Sequence, residues 1–204
     1  MPFGTGGAYG GEDARINYVA NYFKPGTSSK YPERIFRFSS PRTRLFIEGN
    51  VVEGLARVTG DNKTGLLIDD RMTKAGADLG KMLVGQPFDL PSIAQQPAAK
   101  AYELVLASAG AVCPKRDAAD ARVIQSVRDG TGHIIDSPSD VGGWPELKTM
   151  DAPLDSDGDG LPDAYEQAHG LNPQDPADGN SLTPGGYTQL ELYLQDLVAK
   201  AIGH

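Results

Sequence analysis

Two stretches, Tyr18-Val19-Ala20-Asn21-Tyr22-Phe23 and Ile47-Glu48-Gly49-Asn50-Val51-Val52, repeat one pattern 29 residues apart. In each, a bulky residue is followed two positions later by a small one, then an asparagine, then two apolar residues, with a glycine shortly after. A period of roughly 20 to 50 residues marks a chain that stacks on itself, one supersecondary unit per turn. Asparagines at one turn of such a stack can pass hydrogen bonds from coil to coil. The surrounding runs, residues 16–23, 34–38 and 45–52, are β-type and broken by turns such as Lys24-Pro25-Gly26. The expectation is a parallel β-helix with Asn21 under Asn50 and Tyr18 over Ile47. An ordinary meander of strands is the alternative.

Beyond residue 95 the texture becomes helical. Pro97 opens a helix carrying Ala98, Ala101, Tyr102, Val105 and Ala109 on one face, with Gly110 after it. A second helix has Asp117 as N-cap, apolar Val123, Ile124 and Val127, and Gly130 at its end. Residues 131–145 read as an ordered loop anchored by the only tryptophan, Trp144. The last helix opens on the capping box Thr188-x-x-Glu191 and carries Leu190, Tyr193, Leu194, Leu197 and Ala201 along one stripe. Three segments follow: terminal β-helix coils over 1–95, a helical and loop wrap over 96–150, and a calcium-binding loop-helix tail over 151–204.

The tail contains Asp155-Ser156-Asp157-Gly158-Asp159-Gly160-Leu161-Pro162-Asp163-Ala164-Tyr165-Glu166. Carboxylates fall at positions 1, 3, 5, 9 and 12 of a twelve-residue loop, the Leu161 carbonyl at position 7 and Gly160 at the sharp turn of position 6. Two carboxylates about 5 Å apart repel by roughly 3 kcal/mol at an effective dielectric near 20. Closing five around one point therefore requires a cation, and hard oxygen donors in this number select Ca2+. The candidate ligands are Asp155, Asp157, Asp159, Leu161, Asp163 and Glu166. Pro153 and the absence of a helical period before the loop exclude an entering helix. Only the exit helix is expected, over 163–169 with Gly170 as its stop. Half EF-hands of this kind suit extracellular calcium, where affinities of about 10⁻⁴ to 10⁻³ M suffice.

At 204 residues the chain can hold one substantial domain plus an appendage. Gly 25 and Pro 15 imply many turns between short elements. The net charge of −8 argues against nucleic acid and against an anionic membrane as partners. A single cysteine, Cys113, excludes an intrachain disulfide and reads as an idle thiol. No stretch approaches a membrane span, and residues 1–7 have neither the basic start nor the apolar core of a signal peptide. That start conflicts with an extracellular calcium loop, so the expectation is a chain that lacks its true beginning.

Several motifs in order resemble the late coils of the pectate lyases of polysaccharide lyase family 1. They are Tyr9-Gly10-Gly11-Glu12 with residues 17–26, Gly49-Asn50-Val51-Val52-Glu53-Gly54, and the helix from Arg116-Asp117-Ala118-Ala119-Asp120-Ala121-Arg122 to Val127-Arg128. Residues 130–137, Val141-Gly142-Gly143-Trp144-Pro145 and the acidic loop complete them. The resemblance implies a mainly β fold, a right-handed parallel β-helix with a helical C-terminal extension and a small calcium-binding module. It implies a secreted, extracellular, calcium-dependent enzyme that cuts polygalacturonate by β-elimination, with calcium beside the uronate carboxylate and an arginine as base. The family's R-x-P-x-x-R motif and catalytic calcium ligands have no match here. No catalytic residue is assigned, and the chain is expected to be the C-terminal part of such an enzyme, inactive without the missing N-terminal coils that would complete contact with pectic polysaccharide. The rival is a non-catalytic calcium-dependent scaffold or adhesion module.

Other constellations read as structural. Asp69-Asp70-Arg71 is a solvated turn, since neighbouring residues on a strand point to opposite faces. Lys24, Arg34, Arg37, Arg42 and Arg44 could line an acidic-glycan rim but read as solvent-facing charge. His133, His169 and His204 lack zinc spacing. Asp178, Asn180 and Glu191 could form a second calcium site, but Ser181-Leu182-Thr183-Pro184 offers no acidic ligand and the capping box already accounts for Glu191.

Overall fold

The computed structural model describes residues 7–91, 93–112, 115–149 and 151–202. Cys113, Met150, His204 and the first six residues lie outside them. The chain divides into two compact units, Met1–Ala109 with Arg122–Val141, and Gly110–Ala121 with Gly142–His204.

In the first unit the chain passes through three small ladders and then begins again. Strands β1 (Tyr9–Gly10), β2 (Arg15–Val19) and β3 (Tyr22–Phe23) are followed by β4 (Phe36–Phe38), β5 (Arg44–Glu48) and β6 (Val51–Val52), then by β7 (Leu66–Leu67). All pairings are parallel, in the orders β1-β4-β7, β2-β5 and β3-β6. The register of β2 on β5 sets Tyr18 opposite Ile47, and that of β3 on β6 sets Tyr22 opposite Val51. The 29-residue offset seen in the sequence is thus the spacing of stacked parallel strands, and a meander of antiparallel hairpins is excluded there.

The expectation of a mainly β, right-handed parallel β-helix is nevertheless overturned. Helix exceeds strand, 35% against 13%, and the short strands form small sheets with no closed solenoid among the described residues. The reason lies after β7. Asp69 accepts from the Met72 N–H and starts helix α2 (Asp70–Lys74); Asp78 accepts from the Gly80 N–H and starts α3 (Leu79–Met82). Met72 and Met82 are buried against Phe36, Phe38 and Leu45, so two short helices supply the apolar cover that another layer of strands would have given. A second cluster joins Ile35 and Val52 to Val58, which is on α1 (Ala56–Gly60).

The helices expected further on are present as α4 (Ala98–Ser108) and α5 (Ala118–Asp129), the latter capped by Asp117, whose carboxylate accepts from the Asp120 N–H. Only Ile124 of the apolar face expected on α5 is buried. Trp144 anchors nothing: it is 85% exposed. The loop before it is held instead by Asp140, whose Oδ2 accepts from the Asp136 and Ser137 N–H groups.

Asn50 is the polar centre of the first unit. It is fully buried, and its Oδ1 accepts from the Asn21 N–H at 3.0 Å and Nδ2 at 2.7 Å. Its Nδ2 donates to the Tyr18 carbonyl at 2.8 Å, and its N–H donates to Asn62 Oδ1 at 2.9 Å. Asn62 closes the chain by donating to the carbonyls of Asn50 and Val58. The residues before the paired asparagines are equivalent as well, Ala20 at φ 52° and Gly49 at φ 67°. Both coils turn through the left-handed region, at no steric cost for Gly49 and at about 1–2 kcal/mol for Ala20.

Two outcomes follow for urea unfolding followed by circular dichroism. Asn50→Ala strands the Asn21 N–H and the Tyr18 carbonyl in the interior and is expected to lower stability by about 3 kcal/mol. Ala20→Gly relieves the strained turn but loosens the unfolded chain, for a net gain of about 0.5 kcal/mol.

Candidate metal centre

The acidic loop belongs to the second unit, and its backbone is shaped by its own carboxylates. Asp155 accepts from the Gly158 N–H at 2.7 Å through Oδ1 and from the Gly160 N–H at 3.1 Å through Oδ2. Asp157 Oδ1 accepts from the Asp159 N–H at 3.3 Å, and Asp159 Oδ1 from the Leu161 N–H at 2.8 Å. Gly158 and Gly160 sit at φ 78° and 97°, the conformation expected of the turn. Among the described residues no helix enters the loop. The exit helix α6 (Asp163–His169) ends at Gly170 in the left-handed conformation, with the Gly170 and Leu171 N–H groups donating to the Glu166 carbonyl.

The Leu161 side chain is fully buried, and so is Glu166. Asp155, Asp157 and Asp159 bring one oxygen each within 4.8 Å of one another, and Asp159, Glu166 and Asp178 do the same. The inward oxygens have no donor: Asp157 Oδ2, Asp159 Oδ2, both oxygens of Glu166 and Asp178 Oδ1 are buried and unpartnered. Each such oxygen costs a few kcal/mol unless it is paired, and negative neighbours raise the cost. A hard divalent cation would satisfy all of them together, so the donor set fits calcium.

Of the sequence-predicted ligands, Asp155, Asp157 and Asp159 form one group, and Asp159 and Glu166 meet Asp178 in the other. Asp163 is turned aside: its carboxylate accepts from the Ser156 N–H and hydroxyl, both at 2.7 Å. Asp178 was considered only for a second site, yet it lies with the first. Glu191 accepts from the Thr188 N–H at 2.7 Å, completing the capping box of α7 (Gln189–Ile202). Asp178 lies outside the twelve-residue pattern, and no local spacing could have attached it to the loop.

The basic residues weighed as a glycan rim are engaged elsewhere. Arg42 pairs with Asp13, Arg37 with Asp69 and Lys24 with Glu53; Arg34 lies 3.7 Å over the Tyr31 ring, and Arg44 donates to the carbonyls of Pro41, Arg42 and Thr43. Asp69 is therefore more than a solvated turn, since it caps α2 and holds Arg37.

Burial first, and then repulsion from Asp157, Asp159, Asp178 and Asp163, pushes the Glu166 carboxyl up to about 7; burial also raises Asp157. A carboxyl whose folded value exceeds its unfolded value near 4.5 stabilises the fold while it is protonated. In chelator, the contribution of Glu166 is expected to be complete below pH 4.5 and to vanish as pH rises through about 7. Thermal melts of wild type and Glu166→Gln over that range should diverge, the wild type alone losing stability through this group.

No protein-family model matches the chain. It is 30% identical over 206 residues to a protein named probable pectate lyase C from Aspergillus flavus, an alignment covering 96% of this chain and 46% of that protein. The same figures hold for the Aspergillus oryzae protein of that name, and 29% identity over 204 residues for the one from Neosartorya fischeri. The chain spans about half the length of the curated relatives it matches. Along nearly all of its own length it is a relative of proteins named probable pectate lyase C.

Proposed function

We propose that this chain is a calcium-stabilised, pectate lyase-like protein that serves the breakdown of pectic polysaccharide outside the cell, and that its own calcium is structural. The observation that carries this reading is the group of buried, unpartnered carboxylate oxygens on Asp157, Asp159 and Glu166. They lie in a loop with the turn glycines and exit helix of a calcium site. Asp155, Asp157, Asp159, the Leu161 carbonyl and Glu166 would hold the ion. When bound, calcium supplies the positive charge that lets these groups be ionised and buried at once. Similarity to probable pectate lyase C supports pectic polysaccharide as the polymer. A loop of millimolar affinity works where calcium is abundant, which favours an extracellular site of action.

β-Elimination from polygalacturonate needs a base at C5 and a cation beside the uronate carboxylate. Arg37, Arg42 and Arg44 are each committed to an ion pair or to carbonyls. Catalysis by these residues is therefore not proposed.

Calorimetric titration should register calcium binding with a dissociation constant of about 10⁻⁴ to 10⁻³ M, and Glu166→Gln should weaken it at least about tenfold. Absence of heat at millimolar calcium overturns the reading. Incubated with polygalacturonate and calcium at alkaline pH, the chain should form no unsaturated uronate chromophore. Turnover that disappears in Arg42→Ala or Arg44→Ala would place catalysis on those arginines.

A further inference from the structure

Asp163, at the ninth position of the acidic loop, has its oxygens on Ser156 and lies outside both groups of converging carboxylates. Asp159 and Glu166 are faced by Asp178, which opens a separate 3-10 turn, Asp178–Asn180. Asp178 is oriented for this. Its Oδ2 accepts from the Asn172 N–H at 2.7 Å, which leaves Oδ1 facing the cluster, buried and without a partner. The turn itself abuts the loop so closely that a Cβ on Gly179 would overlap the carboxylate of Asp159. Glu166, fully buried with neither oxygen paired, is the second group aimed at the same point.

We propose that Asp178 is a direct ligand of the ion held by the loop, in the place that Asp163 leaves open. The ion then fastens the loop to the segment leading into α7. This rests on the calcium reading above. The Ser181 N–H donates to the Asp178 carbonyl, the Gln189 N–H donates to the Ser181 carbonyl, and Leu182 bridges Thr188. A ligand at 178 therefore ties the entrance of α7 to the loop through consecutive backbone contacts. Without the ion, Asp178 faces Asp159 and Glu166 as a like charge; with it, the same geometry is attractive.

The test uses the full chain. Calcium is titrated calorimetrically into wild type, Asp178→Asn, Asp163→Asn and Glu166→Gln, and terbium luminescence lifetimes in light and heavy water count the waters on the bound ion. Asp178→Asn is isosteric and retains an acceptor for the Asn172 N–H, so the turn survives the substitution. One ion per chain is expected. Asp178→Asn should weaken calcium at least about tenfold and admit about one more water to terbium, while Asp163→Asn stays within about twofold with its water count unchanged. Loss in Glu166→Gln beside unaltered binding and hydration in Asp178→Asn overturns this proposal and leaves the calcium site standing. Two ions per chain overturn it as well. Equal calcium binding by wild type and Glu166→Gln removes the calcium site and the proposal together.

Discussion

Glu166 keeps both carboxylate oxygens out of water with no donor in reach, and the second unit is arranged around that constraint. A buried carboxylate must be neutralised, paired or bound to a cation. Protonation is accessible, since burial and its acidic neighbours push Glu166 up to about 7. The loop carboxylates are laid out as the third solution requires. Asp157 and Asp159 each use one oxygen on a loop N–H and keep the other buried and unpartnered, so one half of each carboxylate fixes the backbone while the other stays open to a cation.

The first unit meets a similar problem in the opposite way. Asn50 is as deeply buried as Glu166, but every polar atom of its side chain has a protein partner, passed on through Asn21 on one side and Asn62 on the other. An amide carries donor and acceptor together, so a stack of amides can satisfy itself. A carboxylate only accepts, so a cluster of carboxylates cannot. The choice of side chain accounts for the buried amide centre being met by protein partners while the buried carboxylate centre has unpartnered oxygens.

Legibility in the sequence divided along the same physical line. The repeat through Asn21 and Asn50 gave the parallel register, because stacked coils force equivalent residues to recur at one spacing. The acidic loop, the span of α6 and the Thr188 capping box were readable because each is decided within a dozen consecutive residues. The overall class was not. From Asp70 onward the covering layer is helical, formed by two short capped segments whose methionines pack on the strands, too short to show a helical period. Trp144 was given an anchoring role on size alone, and Asp178 was tied to its sequence neighbours, whereas its spatial neighbours lie in the preceding loop.

A chain of this design has no single stability. The cluster of Phe36, Phe38, Leu45, Met72 and Met82 contributes through apolar burial, which depends little on pH or ions. The carboxylate cluster contributes with a sign set by protonation and by cation concentration, since any ion that binds the folded loop stabilises it by mass action. Unfolding therefore reports the carboxylate cluster only at a stated pH and cation concentration, which must be held constant when variants of the first unit are compared. It also follows that the acidic residues cannot be ranked by proximity to one another alone. Asp163 is a loop residue and holds the backbone through Ser156, whereas Asp178 is remote in sequence and presents an unsatisfied oxygen to the centre. An unpaired buried oxygen marks a group open to a cation wherever it lies in the sequence, and position in a motif alone does not find it.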